Sequence, residues 1–305
     1  LAWKEFRRGK IRKSDVQNYY FNLEDNLFIL HDELKSRQYK HDNYESFFIC
    51  DPKLRHIHKA KVKDRIVHQA VYRILYHHFD KHFIYDSYSC RKNKGVHAGV
   101  KRLSDFMRRS SLGYKYSTYV LKCDIRKYFK NIDQNILLRM IKRVISDEDV
   151  LWLVKVILGS YSESLNMGLP LGNVTSQLFA NIYLNELDQF VKHNLRQKYY
   201  LRYCDDFIIL NRNEELLKRL VRCVNNFLKN ELNLELHLGK TRVRKINYGI
   251  DFLGYVNLPY HRVIRTKTKR RMLRLVTEKN ISSYLGICCH ASAYNIGKMI
   301  KNKIV

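Results

Sequence analysis

Only three prolines occur in the 305 residues, and no Ser/Gly-rich linker, low-complexity tract or internal repeat sets one part apart, so any subdomains are expected to pack together. No stretch approaches the ~18 apolar residues needed to span a bilayer, and the N-terminal LAWKEFRRGKIRK lacks the apolar core of a signal peptide. These absences speak against a membrane partner and predict a soluble, cytoplasmic protein; a chain that opens on Leu1 is expected to lack a few residues ahead of it. Seven cysteines, Cys50, Cys90, Cys123, Cys204, Cys223, Cys288 and Cys289, form an odd set without CxxC spacing. That pattern excludes a disulfide framework and a zinc ribbon and predicts reduced, mostly buried thiols. Cys288-Cys289-His290 is read against a metal site, because adjacent ligands rarely fit one tetrahedral centre without a second pair elsewhere. Acid is scarce as well: 29 Asp+Glu stand against 57 Lys+Arg, a formal charge of +28, while 45% of the chain is hydrophobic. The composition is that of a folded body with a polyanionic partner, and with membranes set aside that partner is nucleic acid.

Leu23, Leu27, Leu30 and Leu34 lie at steps of four, three and four, the face of a helix with Asn22 as its cap. FFIC, a turn at Asp51-Pro52 and the extended basic stretch HIHKAKVKD lead into a second helical pattern through Val67, Val71, Ile74 and Leu75. Farther on, β-rich runs end abruptly in acid. TYVLKC meets Asp124, and YYLRYC meets Asp205-Asp206, followed at once by FIIL, so the last two runs predict a hairpin with the acidic pair at its turn. SQLFANIYLNELDQFVKHNL between them reads as a helix with a buried face, a further helix covers about 214 to 231, and LELHL reads as another strand. From Val256 onward eleven Lys/Arg accompany one acid, Glu278, on mostly helical patterns.

Carboxylates at the ends of apolar strands are unfavourable together unless a cation neutralises them. Hard oxygen donors with positions left for water and phosphate describe a magnesium site. Two such ions about 4 Å apart can activate a 3′-hydroxyl and stabilise a leaving pyrophosphate. The plainer alternative is a solvated Asp-Asp turn. Asp124 also opens Asp-Ile-Arg-Lys-Tyr-Phe, whose Phe129 ring could close the floor under a nucleotide sugar; otherwise it is a core aromatic. Gly168-Leu169-Pro170-Leu171-Gly172-Asn173-Val174-Thr175-Ser176-Gln177 is a loop stiffened by proline and opened by glycine to close backbone approach.

Tyr203-Cys204-Asp205-Asp206, Asp-x-x-x-x-Phe from Asp124 and Gly-x-Pro-x-Gly-x-x-x-Ser-Gln from Gly168, in this order, resemble the reverse transcriptases. Arg55-His56-Ile57 through Lys61, with Asp64-Arg65-Ile66-Val67-His68-Gln69-Ala70, resembles the fingers of group II intron and related bacterial enzymes. Group II enzymes usually show Pro-Gln-Gly where this chain has Pro170-Leu171-Gly172, and the local form, Pro-Leu-Gly-Asn-Val-Thr-Ser-Gln, resembles the reverse transcriptases of diversity-generating retroelements. Ser282-Ser283-Tyr284-Leu285-Gly286 with His290 is similar to that group too. Its usual catalytic motif carries Met where Cys204 stands, an apolar swap that should leave metal binding intact.

The resemblance implies an α+β right-hand polymerase with an antiparallel palm sheet packed on helices. Fingers would span 1–118 with an N-terminal helical extension, the palm 119–255 with a helical insertion at about 134–165, and a basic helical thumb 256–305. Asp124, Asp205 and Asp206 would be catalytic and, with Ile125, would hold two Mg2+ ions. Arg55, Lys61, Phe129, Leu171, Gln177 and Lys240 would meet the dNTP; the plainer alternative for Arg55 and Lys61 is that each is one of the 57 cations of the surface. Phe252, Leu253 and Gly254 would form the primer grip. Leu171 replaces a glutamine that supports the nascent base pair in relatives, which implies misincorporation, focused in that family on template adenines. Template RNA, the cDNA or primer strand and dNTPs are the implied partners, with a small ring-forming accessory variability protein. A bacterial, archaeal or phage origin follows from the same likeness. The alternatives are a group II-like or defence-type enzyme of ordinary fidelity, and a non-enzymatic, maturase-like RNA-binding protein.

Overall fold

The computed structural model describes residues 1–50 and 53–303, so the turn expected at Asp51-Pro52 lies outside the described residues, as does the end of the basic C-terminal stretch. Along the chain run α1 (Ala2–Phe6), α2 (Ser14–Phe21), α3 (Leu23–Lys35), β1 (Glu45–Ile49), β2 (Arg55–Lys59), α4 (Val62–Phe79) and α5 (Val96–Ser110). Then come β3 (Tyr119–Asp124), α6 (Gln134–Lys142), α7 (Glu148–Gly159), α8 (Val174–Gln189), β4 (Tyr199–Tyr203), β5 (Asp206–Asn211) and α9 (Glu214–Leu232). The last stretch holds β6 (Arg242–Lys245), β7 (Ile250–Phe252), β8 (Tyr255–Asn257), β9 (Arg262–Ile264), α10 (Thr266–Leu275), α11 (Ile281–Cys288) and α12 (Tyr294–Asn302). The chain divides into two units: Leu1–Ile84, Arg126–Asp188 and Phe227–Leu234 make the first; Tyr85–Ile125, Gln189–Asn226 and everything from Glu235 make the second.

In the first unit, β1 and β2 form an antiparallel hairpin in which Phe47 faces Ile57 across the ladder. Apolar residues of α4 recurring at helical spacing, Val67, Val71 and Leu75, are buried. Two helices begin on aspartate caps. Asp133 accepts from the Asn135 and Ile136 amides at 2.9 and 3.0 Å, and Asp147 from Val150 at 2.9 Å, each satisfying donors that a helix N-terminus leaves open. Asn22 stands at the N-cap position of α3, as expected, but its side chain makes no capping bond there.

The second unit is built on a four-stranded antiparallel sheet ordered β4-β5-β3-β6 and a three-stranded sheet β7-β8-β9. β5 lies between β4 and β3, and its run Phe207, Ile208, Ile209, Leu210 is buried throughout, which is why it lacks the alternation of a half-exposed strand. A core of Val100, Leu103, Met107, Leu201, Ile208, Phe252 and Met272 continues through this unit. Arg262 fastens the C-terminal stretch, donating to Asn257 Oδ1 (2.9 Å), Ser104 Oγ (2.8 Å) and the His290 carbonyl (3.0 Å).

Three expectations are corrected. LELHL forms only a single bridge, Leu236 to Ile125: the Leu236 amide goes to Asn225 Oδ1 (3.0 Å) and the His237 amide to the Asp124 carbonyl (2.8 Å), and a 3-10 turn follows at Leu238–Lys240. The stretch after Val256 is not helical from its start, since β8 and β9 precede α10. The thiols are free but mostly not buried: Cys50, Cys90, Cys223 and Cys289 are exposed, Cys204 is half-buried, and only Cys123 and Cys288 are buried. Among the described residues, no helix is long and apolar enough to cross a membrane.

Candidate active site

Strand register places the carboxylates of the second unit. Asp124, the last residue of β3, lies directly opposite Asp206, the first of β5, and Asp206 also pairs with Tyr203 of β4. The expected hairpin forms, but its two-residue turn is Cys204-Asp205, one position earlier than the acidic pair, so Asp206 opens β5 rather than lying in the turn. Cys204 adopts φ +57°, a left-handed conformation that costs a non-glycine residue about 1–2 kcal/mol. Such a residue persists only where its surroundings hold it.

Three carboxylates in so small a space need compensation, and two lysines provide part of it. Lys240 Nζ reaches both oxygens of Asp124, at 3.0 and 3.1 Å. Lys122 Nζ lies 3.4 Å from Asp206 Oδ2 and donates at 2.7 Å to the Asp251 carbonyl, tying β3 to the β7–β8 hairpin. The buried Oδ1 of Asp206 has no hydrogen-bond partner. Burial drives the Asp206 carboxyl up to about 6; Lys122 pulls against that, and Asp205 and Asp124 add to it. Asp205 is likewise raised, chiefly by burial, with Asp124 contributing and its own backbone amide opposing. Among the described residues, no three His, Cys, Asp or Glu side chains are gathered into a metal cage as they stand. The donor chemistry fits a divalent ion nonetheless: hard oxygens, one of them buried and unpartnered, with ammonium groups on the carboxylates where a cation would act. Ile125 is buried beside Asp124, and its apolar side chain leaves its backbone carbonyl as its possible donor.

The β7–β8 hairpin turns through Leu253 (φ +51°) and Gly254 (φ +90°), with Phe252 opposite Tyr255. Two consecutive positive φ values match the twist of a tight hairpin. Phe252 is buried, while Leu253 and Gly254 are half-exposed.

In the first unit, the loop from Gly168 to Asn173 is held at both ends. The Leu169 amide donates to the Phe129 carbonyl (2.8 Å) and the Gly168 amide to that of Ile132 (2.8 Å). At the other end, the His58 amide of β2 donates to the Leu171 carbonyl (2.9 Å), and Asn173 Nδ2 donates to the His58 carbonyl (3.0 Å). Gly172 has φ +116°, and a Cβ there would come within 2.9 Å of Ile57 Cγ2, so its conformation and its packing both call for glycine. Phe129 is half-buried against Tyr128, with ring centroids 5.4 Å apart, and Leu171 is half-buried. Gln177 is exposed on the first turn of α8, Arg55 is exposed on β2, and Lys61 precedes α4 with its Nζ 3.9 Å from Asp42.

Below the loop, Thr175 joins a chain of side chains whose direction, with both rings neutral, follows from its one fixed end. The Asp42 carbonyl, 2.6 Å from His41 Nδ1, can only accept, so Nδ1 carries the hydrogen and, in neutral His41, Nε2 accepts. His68 Nε2, 3.0 Å away, then donates, and His68 Nδ1 accepts from the Thr175 hydroxyl at 2.6 Å. His68 is fully buried, and burial first, with His41 beside it second, lowers its pKa to about 3.

The architecture, in which helices and antiparallel sheets combine, is that of a nucleic-acid polymerase of the right-hand class. Residues 40–257 match the reverse transcriptase (RNA-dependent DNA polymerase) family, and the chain belongs to it. It is 26% identical to protein YkfC of Escherichia coli, over 82% of this chain and 74% of that protein. It is 24% identical to the group II intron-encoded protein LtrA of Lactococcus lactis, over 67% of this chain but 44% of LtrA. The telomerase of Candida albicans, solved with a fragment of telomeric RNA, shares the fold at a TM-score of 0.55 with 12% identity, covering 87% of this chain and 55% of that one. The chain thus spans less than half of LtrA and about half of the telomerase chain. Its enzymatic class is RNA-directed DNA polymerase, a family that works with divalent metal ions.

Two residues escaped the sequence reading. Lys122 sits two positions before Asp124 and so on the same face of β3, a relation the period of a strand would have revealed. Arg202 is a cation inside an apolar strand, and that anomaly was its signal.

Proposed function

We propose that the chain makes error-prone cDNA from a template RNA in a diversity-generating retroelement. The observation that carries polymerase chemistry is the cross-strand pairing of Asp124 with Asp206, next to Asp205 in a held turn. These residues and the Ile125 carbonyl would bind two Mg2+ ions, which when bound activate the primer 3′-hydroxyl and stabilise the departing pyrophosphate. Lys240, which meets Asp124, would release it as the cation binds and turn to nucleotide phosphate. Arg55 and Lys61 would take the triphosphate, Phe129 would exclude a 2′-hydroxyl, Gln177 would lie along the nucleotide, and Phe252-Leu253-Gly254 would seat the primer end. In this reading, residues 1–118 are fingers, 119–255 palm and 256–305 thumb; the thumb's cations grip the duplex phosphates independently of sequence.

The retroelement assignment rests on Leu171. Its side chain cannot offer the polar support of a glutamine to a nascent base pair, and errors at template adenines follow. A ring-forming accessory protein would help select the template. A second reading, an intron-type or defence-type enzyme of ordinary fidelity, is favoured by the likeness to LtrA; a purely RNA-binding role is the non-enzymatic alternative. Primer extension on an RNA template with Mg2+, followed by cDNA sequencing, separates them. Adenine-focused errors that Leu171→Gln reduces support the retroelement reading, equal error spectra exclude the fidelity role of Leu171, and no extension leaves RNA binding alone.

A further inference from the structure

Arg202 is the largest fully buried side chain of the described residues, 0% exposed, and it directly precedes Tyr203-Cys204-Asp205-Asp206. Sealing a guanidinium away from water is costly unless its donors are used. Its Nη1 donates to the Cys204 carbonyl at 3.0 Å and its Nη2 to Ser87 Oγ at 3.2 Å. Its backbone is clasped by the same segment: the Arg202 amide donates to the Asp86 carbonyl and the Tyr88 amide to the Arg202 carbonyl, both at 2.9 Å. That segment is anchored in turn, because the buried Asp86 carboxylate takes Arg102 Nε of α5 at 2.8 Å and Nη2 at 3.3 Å. A line of contacts therefore runs from α5 through Asp86 and Ser87 to Arg202 and ends on the carbonyl of Cys204, the residue with φ +57°. This carbonyl belongs to the peptide leading into Asp205, so gripping it sets the direction in which Asp205 and Asp206 leave the turn.

We propose that Arg202 is a positioning residue for the metal-binding carboxylates, holding the Cys204-Asp205 peptide through its buried guanidinium. The inference rests on the reading of Asp205 and Asp206 as metal ligands. Lysine in its place keeps the charge but loses the planar fork that reaches the Cys204 carbonyl and Ser87 together.

The test uses the full chain and Mn2+ alone as the probe, with binding followed by electron paramagnetic resonance, beside the Mg2+ dependence of primer extension. Arg202→Lys should weaken Mn2+ binding about 10-fold or more and raise half-saturating Mg2+ in parallel, the usual scale for losing a group that orients metal ligands. The KM for dNTP at saturating Mg2+ and the affinity for RNA should stay unchanged. Ser87→Ala, which removes only the outer anchor, should act in the same direction but less. Unchanged Mn2+ affinity in a folded Arg202→Lys overturns the proposal, as does a loss confined to thermal stability. Asp205→Ala with Asp206→Ala is the control: if that variant still binds Mn2+ like the parent, the metal reading itself falls, whereas its loss beside an unaffected Arg202→Lys removes only the role of Arg202.

Discussion

In β3 and β5 the acidic side chains are placed by the sheet ladder, Asp124 against Asp206, whereas Leu171 and its neighbours are placed by a loop whose ends hydrogen-bond to Phe129, Ile132 and His58. Register is a collective property: a slip of one residue would turn every side chain of a strand to the other face, so the buried run of β5 protects the position of Asp206 many times over. The loop has no such redundancy. Its geometry depends on a few backbone bonds and on the glycine that lets Leu171 and Asn173 reach β2 together. The acidic centre is therefore held by many contacts and the loop by few.

Gly172→Ala attacks the loop at its weakest point and should have the largest effect on it. The added methyl meets Ile57 Cγ2 and the backbone is held at positive φ, so a loss of about 1–3 kcal/mol is expected in urea unfolding. Nucleotide incorporation should fall while Mn2+ binding stays near that of the parent. Ile57→Ala, which clears the methyl but not the backbone strain, should restore part of both; full restoration would mean that packing alone, not conformation, requires the glycine.

His68→Gln tests the support beneath the loop through pH. The folded pKa of His68 lies below its ordinary 6.5, so the unfolded chain takes up the proton first, and stability is lost as pH falls from 6.5 towards 3, with no slope from this group above 6.5. At 1.36 kcal/mol per unit, His68 should account for a loss of about 2 kcal/mol between pH 6.5 and pH 5. Urea titrations at the two pH values should show a smaller drop in the glutamine variant, and equal drops would remove His68 as the source. The smallest effect is expected from Asp147→Ala, which removes the cap of α7: about 1 kcal/mol of stability, with metal binding and incorporation intact.

The same contrast decides what could be read from the amino acids. YYLRYC-Asp-Asp-FIIL announces two strands and a turn through its own local pattern, and α9 ends at Leu232, next to where the spacing put it. LELHL carries strand-like residues too, but its amides are claimed by Asn225 and by the Asp124 carbonyl, partners that no local pattern reveals. Asn173 meets His58 from 115 positions away, so the loop's docking was invisible for the same reason. The thiols misled because a small apolar side chain suits a buried site without requiring one, and Cys90 sits instead in an exposed left-handed turn position. Lys122 and Arg202 stood in plain view, yet among 57 cations their meaning came only from where the strands put them.

The most direct measurement is Mg2+-dependent primer extension on an RNA template by the parent chain and by Asp205→Ala with Asp206→Ala, with RNA affinity measured in parallel. The expected result is extension by the parent, none by the variant, and nearly equal RNA binding by both. Extension that persists in the double variant would contradict the assignment of the strand-end carboxylates as the catalytic centre.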